Sequence, residues 1–98
     1  MAAYLIANIK VNDPDGYSEY TKQVLETITR WGGRFLVRGG SAEKMDGDWQ
    51  PSRVVVIEFP DLETAHNWYQ SEEYQAILPL RLANSSGGTV LVEGYGPD

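Results

Sequence analysis

The sequence has no cysteine and a single histidine, His66. Disulfides and thiolate metal sites are therefore excluded, and one chain alone cannot build a multi-histidine metal centre. No metal and no cofactor are expected. Basic residues are scarce: 8 Lys and Arg stand against 14 Asp and Glu, a net charge of −6. Phosphate binding needs clustered Lys and Arg, so neither a nucleic acid nor an anionic membrane surface is expected as a partner. Long apolar runs are missing too. The opening "MAAYLIANIKVNDP" has no basic leader region, and Asn8 and Lys10 interrupt its apolar stretch. It reads as neither a signal peptide nor a membrane span, which makes the cytoplasm the expected location. Repeats, linkers and low-complexity segments are also absent.

What is there is the pattern of a folded domain. The chain has 98 residues, 42% of them hydrophobic, and one domain over residues 1–98 is expected. "AYLIANIKV", residues 3–11, alternates as a strand: Leu5, Ala7, Ile9 and Val11 share one face, and Tyr4, Ile6, Asn8 and Lys10 the other. Asp13 before Pro14 reads as a helix cap followed by proline at the first helical position. Tyr17, Tyr20, Val24, Ile28 and Trp31 then recur at helical spacing up to Gly32-Gly33. "RFLVR" is a second strand, expected to continue past the glycines through "SAEKM" to a turn at Asp46-Gly47-Asp48. "RVVVIEF", residues 53–59, is a third strand rich in β-branched residues. Asp61 caps a helix carrying Leu62, Ala65, Trp68 and Tyr69, and Ser71 caps another that Pro79 should kink or divide. "NSSGG" reads as a loop and "TVLVEGY" as the last strand.

The order β-α-β-β-α-β is that of a ferredoxin-like α+β sandwich, one antiparallel four-stranded sheet with helices on one face. The third strand does not alternate. Val54, Val55, Val56 and Ile57 are apolar on both faces, yet one chain of this length has helix enough to cover only one. A second copy is the simplest cover for the other, so a homodimer is expected.

Several residues stand out as candidate chemistry. Arg38-Gly39-Gly40 reads either as an arginine aimed into a pocket, with glycines that let a ligand approach, or as a bulge that bends a strand. The glycines form no phosphate loop, because no Gly-Lys-Ser/Thr follows. Glu58 interrupts an apolar strand. It is either an ion-paired structural carboxylate, with Arg38, Arg53 or Arg81 as partner, or a general base. Asn8 raises the same question on the first strand. His66 is expected to face solvent, and Arg34 and Lys44 to be surface charge. Most aromatics at helical spacing read as core. Trp49 is the exception, because it follows a turn. Arg81, between Leu80 and Leu82, must snorkel or meet an anion.

"GGRFLVRGG", "GDWQPSRVVVIEFP" and "SEEYQAILPLR" together resemble the small, mostly bacterial proteins grouped as domain of unknown function 1330, over nearly the whole chain. The resemblance implies a dimeric α+β barrel, two such sheets packed through their open faces, and no established reaction. The wider superfamily includes cofactor-free monooxygenases, haem-degrading enzymes, dye-decolourising peroxidases and small isomerases. The haem-degrading relatives resemble one another in a first-strand asparagine, a helical tryptophan and a later histidine that ligates iron. Asn8 and Trp68 fall in such places, but no histidine follows Trp68, so haem and peroxidase chemistry are not expected.

The reading is a small-molecule-binding barrel without a cofactor. Its cleft between helices and sheet would be lined by Asn8, Arg38, Gly39, Gly40, Trp49, Glu58, Trp68 and Arg81. The ligand would be a small anion or a carbonyl-bearing organic acid. If it is an enzyme, the chemistry would be proton transfer or cofactor-free oxidation, with Glu58 as base and Arg38 or Arg81 stabilising an oxyanion. The alternative is a non-catalytic protein of assembly or ligand sensing.

Overall fold

Alternation along β1 (Ala3–Val11) sets the layers of the computed structural model, which describes residues 1–96. Ala3, Leu5, Ala7 and Ile9 are buried beneath the helices, while Tyr4, Ile6, Asn8 and Lys10 point to the other side. The remaining elements are α1 (Pro14–Arg30), β2 (Arg34–Arg38), β3 (Arg53–Phe59), α2 (Leu62–Gln70), α3 (Glu72–Asn84) and β4 (Ser85–Glu93). The strands form one antiparallel sheet in the order β2-β3-β1-β4. This is the ferredoxin-like arrangement, with all three helices over one face. Among the described residues no helix is long and apolar enough to cross a membrane.

The helix ends follow their caps. Asp13 accepts from the N–H groups of Asp15 and Gly16, Asp61 from Thr64, and the Ser71 hydroxyl from Tyr74. The bond from Thr64 holds the Asp61 carboxyl below its ordinary range. A lowered folded-state pKa means that the cap's contribution is present at neutral pH and is lost as pH falls through that pKa, below about 4. In thermal melts the advantage of the native chain over Asp61→Ala is expected to vanish at the acid end. An advantage unchanged across that range would show that the cap carries no charge effect.

The core joins both layers. Trp68, Tyr74, Phe59, Ile9 and Ile28 are its largest fully buried side chains. Trp68 packs on Tyr74 and Phe59, with ring centroids at 4.1 and 5.2 Å, and its indole N–H donates to the Thr27 hydroxyl at 3.1 Å.

Three local expectations need correction. Strand β2 stops at Arg38 and does not run on through "SAEKM". Gly39 donates a last ladder bond to the Val54 carbonyl at 2.9 Å, and its φ of +71° then turns the chain away. Pro79 does not divide α3. Both Pro79 and Gln75, whose carbonyl loses its helical donor, face solvent, where water can take the bond. "NSSGG" is not a loop: β4 begins at Ser85, and Gly87 and Gly88 pair with Ile9 and Asn8. A Cβ on Gly87 would lie on the Asn8 carbonyl, so this glycine serves a close approach between strands.

Candidate functional site

A cavity of about 30 Å³ lies between the sheet and helices α1 and α3. Leu5, Ala7 and Ile9 of β1 and Val55 of β3 form its apolar floor. Ala7, on the central strand, is what keeps it from being filled. Space of this size holds about two waters. At one side, Tyr17, Thr21, Arg38 and Arg53 line both the cavity and a shallow cleft open to solvent, so they mark its mouth.

The polar lining is dominated by donors. The Tyr20 and Tyr74 hydroxyls are 2.9 Å apart. Burial, and then the neighbouring Tyr74, pushes the Tyr20 hydroxyl far above its ordinary pKa, so it keeps its proton. One hydroxyl of the pair donates to the other, and the Tyr74 hydroxyl also accepts from the Arg81 guanidinium. Arg81, only 7% exposed, lines the same space, and its Nε has no hydrogen-bond partner. Arg53 likewise has a buried Nε without a partner, and its guanidinium lies 5.8 Å from the Tyr17 ring. Among the described residues no carboxylate lines the cavity, and none of the ion pairs involves Arg38, Arg53 or Arg81.

Arg38 reaches this side of the sheet because of a register shift. Phe35 pairs with Ile57, Val37 with Val56 and Arg38 with Val55, so Leu36 is an extra residue in β2. Strict alternation from Phe35 with Leu36 in the ladder would put Arg38 on the opposite face; the bulge, by leaving Leu36 unpaired, brings it round. Its guanidinium rests over the Phe35 ring at 4.3 Å and donates to the Thr21 carbonyl at 3.1 Å. The bulge thus sits at Leu36 and not at the glycines. Gly39 has a second role: a Cβ there would run into the Arg53 guanidinium. Nothing surrounds Gly40.

The eight residues expected in one cleft do not gather there. Arg38 and Arg81 line the cavity, and Gly39 lies under Arg53 at its mouth. Asn8, Trp49 and Glu58 belong to the open face of the sheet. Asn8 holds the end of the β2–β3 connection, donating to the Gln50 carbonyl at 3.1 Å and accepting from the Ser52 N–H at 2.8 Å. Trp49 lies beside Ile6 and Val54 on that face. Glu58 accepts from Arg34 at 2.8 Å and from the Tyr4 hydroxyl at 3.3 Å. It shares no cavity with Arg38 or Arg81, because residues 54, 56 and 58 point away from the helices. Trp68 is core, with no exposed surface. His66 faces solvent, as expected. Arg53, Tyr20 and Tyr74 join the site instead. Parity signals Arg53, which falls in step with Val55, Ile57 and Phe59 on the buried face. The tyrosines carry no signal beyond helical spacing.

A family model described as Domain of unknown function (DUF1330) matches residues 2–95. Among solved structures, a protein of unknown function from Rhodopseudomonas palustris aligns over 98% of this chain and 84% of its own, at a TM-score of 0.80 and 14% identity. SnoaB, a cofactor-independent oxygenase from Streptomyces nogalater, aligns over 98% and 95%, at a TM-score of 0.64 and 12% identity. An antibiotic biosynthesis monooxygenase aligns over 98% and 100%, at 0.53 and 18%. No curated protein matches. Likenesses at this identity show the shared fold.

Proposed function

We propose that this chain, which belongs to the domain of unknown function 1330 family, is a homodimeric small-molecule-binding protein whose ligand occupies the cavity between helices and sheet. The observation that carries the reading is the meeting of two unsatisfied donors on an apolar hollow: the buried Nε atoms of Arg53 and Arg81, beside the Tyr20–Tyr74 pair and around a floor of Leu5, Ala7 and Val55. Sites for small molecules have this composition, mostly apolar with a few converging polar groups. Filling the hollow tests it. Ala7→Leu is expected to abolish uptake of small probes, read as loss of ligand-induced shifts at the Val55 methyls by NMR. Unchanged shifts in that variant would overturn the reading.

Binding is a better-supported role than catalysis by Glu58. That carboxylate is on the other face, paired to Arg34. Chemistry in the cavity would need a substrate that ionises unaided, or a proton passed through Tyr20 and Tyr74, since no carboxylate or histidine among the described residues lines it. Cofactor-free oxidation, the activity named for SnoaB, is the second reading, and the shared fold favours it.

The open face of the sheet supports the dimer in this reading. Ile6, Val37, Val90 and Val92 are exposed there, and Val54 and Val56 lie half-buried between them. A contiguous apolar surface of this kind is the mark of an interface. A second copy presenting the same face would cover it symmetrically. Sedimentation equilibrium at low micromolar concentration is expected to give a dimer. Val56→Asp would bury a carboxylate there, weakening association by about a hundredfold or more. A well-folded native monomer at that concentration would refute the dimer.

A further inference from the structure

We propose that the cavity takes a small organic carboxylate, with Arg81 as the buried cation that receives its charge and Arg38 as the side chain that must move to admit it. The proposal rests on the cavity being a ligand site and names what that ligand is.

Arg81 is the starting point. A guanidinium cannot lose its charge in a protein, and a buried charge needs a partner. Arg81 is more than nine-tenths buried, its Nε is unpartnered, and it has no ion-pair partner among the described residues. Tyr20, hydrogen-bonded to Tyr74, keeps its proton, and a hydroxyl pair offers a dipole in place of a carboxylate's charge. Among the described residues, the space Arg81 lines has two further arginines and no acid, in a chain whose net charge is −6. Acidic residues are plentiful elsewhere, which makes their absence from this one lining specific.

The donor inventory then selects the ligand. Two buried guanidinium Nε–H groups without a partner, those of Arg53 and Arg81, belong to the lining, so its occupant must accept. The planar fork of arginine fits a carboxylate through parallel hydrogen bonds. The floor of Leu5, Ala7, Ile9 and Val55 suits an apolar body attached to the acid. Such a body needs more room. Arg38 can provide it, because this exposed side chain is held only by its stacking on Phe35 and one bond to the Thr21 carbonyl, at the wall shared with the open cleft. Arg53, at the same mouth, keeps a second cation over the acid once Arg38 has swung away.

The test uses the full chain and four probes: acetate, benzoate, benzamide and inorganic phosphate. The reporter is the Arg81 Nε–H signal in a nitrogen–proton correlation spectrum, assigned by its loss in Arg81→Lys. Benzoate and acetate are expected to shift this signal saturably, and benzamide, the neutral match of benzoate, to leave it in place. Arg81→Lys keeps the charge but loses the fork, and is expected to weaken benzoate about tenfold or more, read at the Val55 methyls. Arg34→Lys, on the opposite face, is expected to change nothing. Equal shifts with benzamide, a response to phosphate alone, or a full response in Arg81→Lys would each overturn the carboxylate assignment. If benzamide moves the Val55 methyls while no carboxylate moves Arg81, the cavity is a ligand site and the assignment is wrong. Silence at both reporters with every probe would refute both the assignment and the ligand site beneath it.

Discussion

Trp68→Ala is expected to destabilise the fold by about 3–5 kcal/mol, the range for removing a large aromatic from a closed core. Trp68 has no exposed surface and sits between Phe59 and Tyr74. Its removal leaves a void that the sheet on one side and α3 on the other cannot both close. It also takes the indole donor from the Thr27 hydroxyl, itself buried on α1. A small domain holds only about 5–15 kcal/mol in total, so the variant should be at or near the edge of folding. Urea denaturation followed by circular dichroism measures the change. Trp49→Ala is the contrast. That indole is 53% exposed on the single chain and should cost the monomer little, whatever it does to association. Equal losses for the two variants would contradict their separation into core and surface.

Arg81→Met is expected to move stability the other way. Methionine matches much of arginine's length and needs no hydrogen bond. The replacement removes the unmet Nε donor and a desolvated charge, and exchanges of buried charged groups for apolar side chains of similar volume are often neutral or stabilising, by up to about 1–4 kcal/mol. For a domain of this size that corresponds to a rise in Tm of about 4 °C or more at fixed protein concentration. The same variant should lose benzoate binding. A gain in stability with a loss of binding is the signature of a residue kept for its ligand. A marked fall in Tm would instead assign Arg81 to the fold, with a structural acceptor that takes its charge.

The layers were legible from side-chain parity. Leu5, Ala7 and Ile9 against Ile6 and Asn8, and the unbroken apolar run of β3, already separate a face covered by helices from an open one. Capping residues placed the helix starts at Asp13, Asp61 and Ser71. The site was less legible, and the reasons differ by residue. Arg81 drew attention because an arginine between leucines cannot be both buried and solvated. Glu58 drew attention for the same kind of reason, but its strand neighbour Arg34 neutralises it on the far side of the sheet. Pairing across strands depends on register, which alternation within one strand does not contain. Gly87 and Gly88 read as a loop because glycine marks both turns and close strand contacts, and only the Asn8 carbonyl distinguishes them. The shift at Leu36 leaves no mark in composition at all: "RFLVR" reads the same with or without it.

That silent residue gives the strand one place where its length can change. Deleting Leu36 would straighten β2 while leaving Val37 opposite Val56 and Arg38 opposite Val55, so Arg38 would stay on the cavity wall and Val37 on the open face. Descendants of such a scaffold could differ by one codon here and keep ligand preference and assembly together. A one-residue slip anywhere else along the ladder would instead exchange the two faces, placing a charge where two copies are expected to meet.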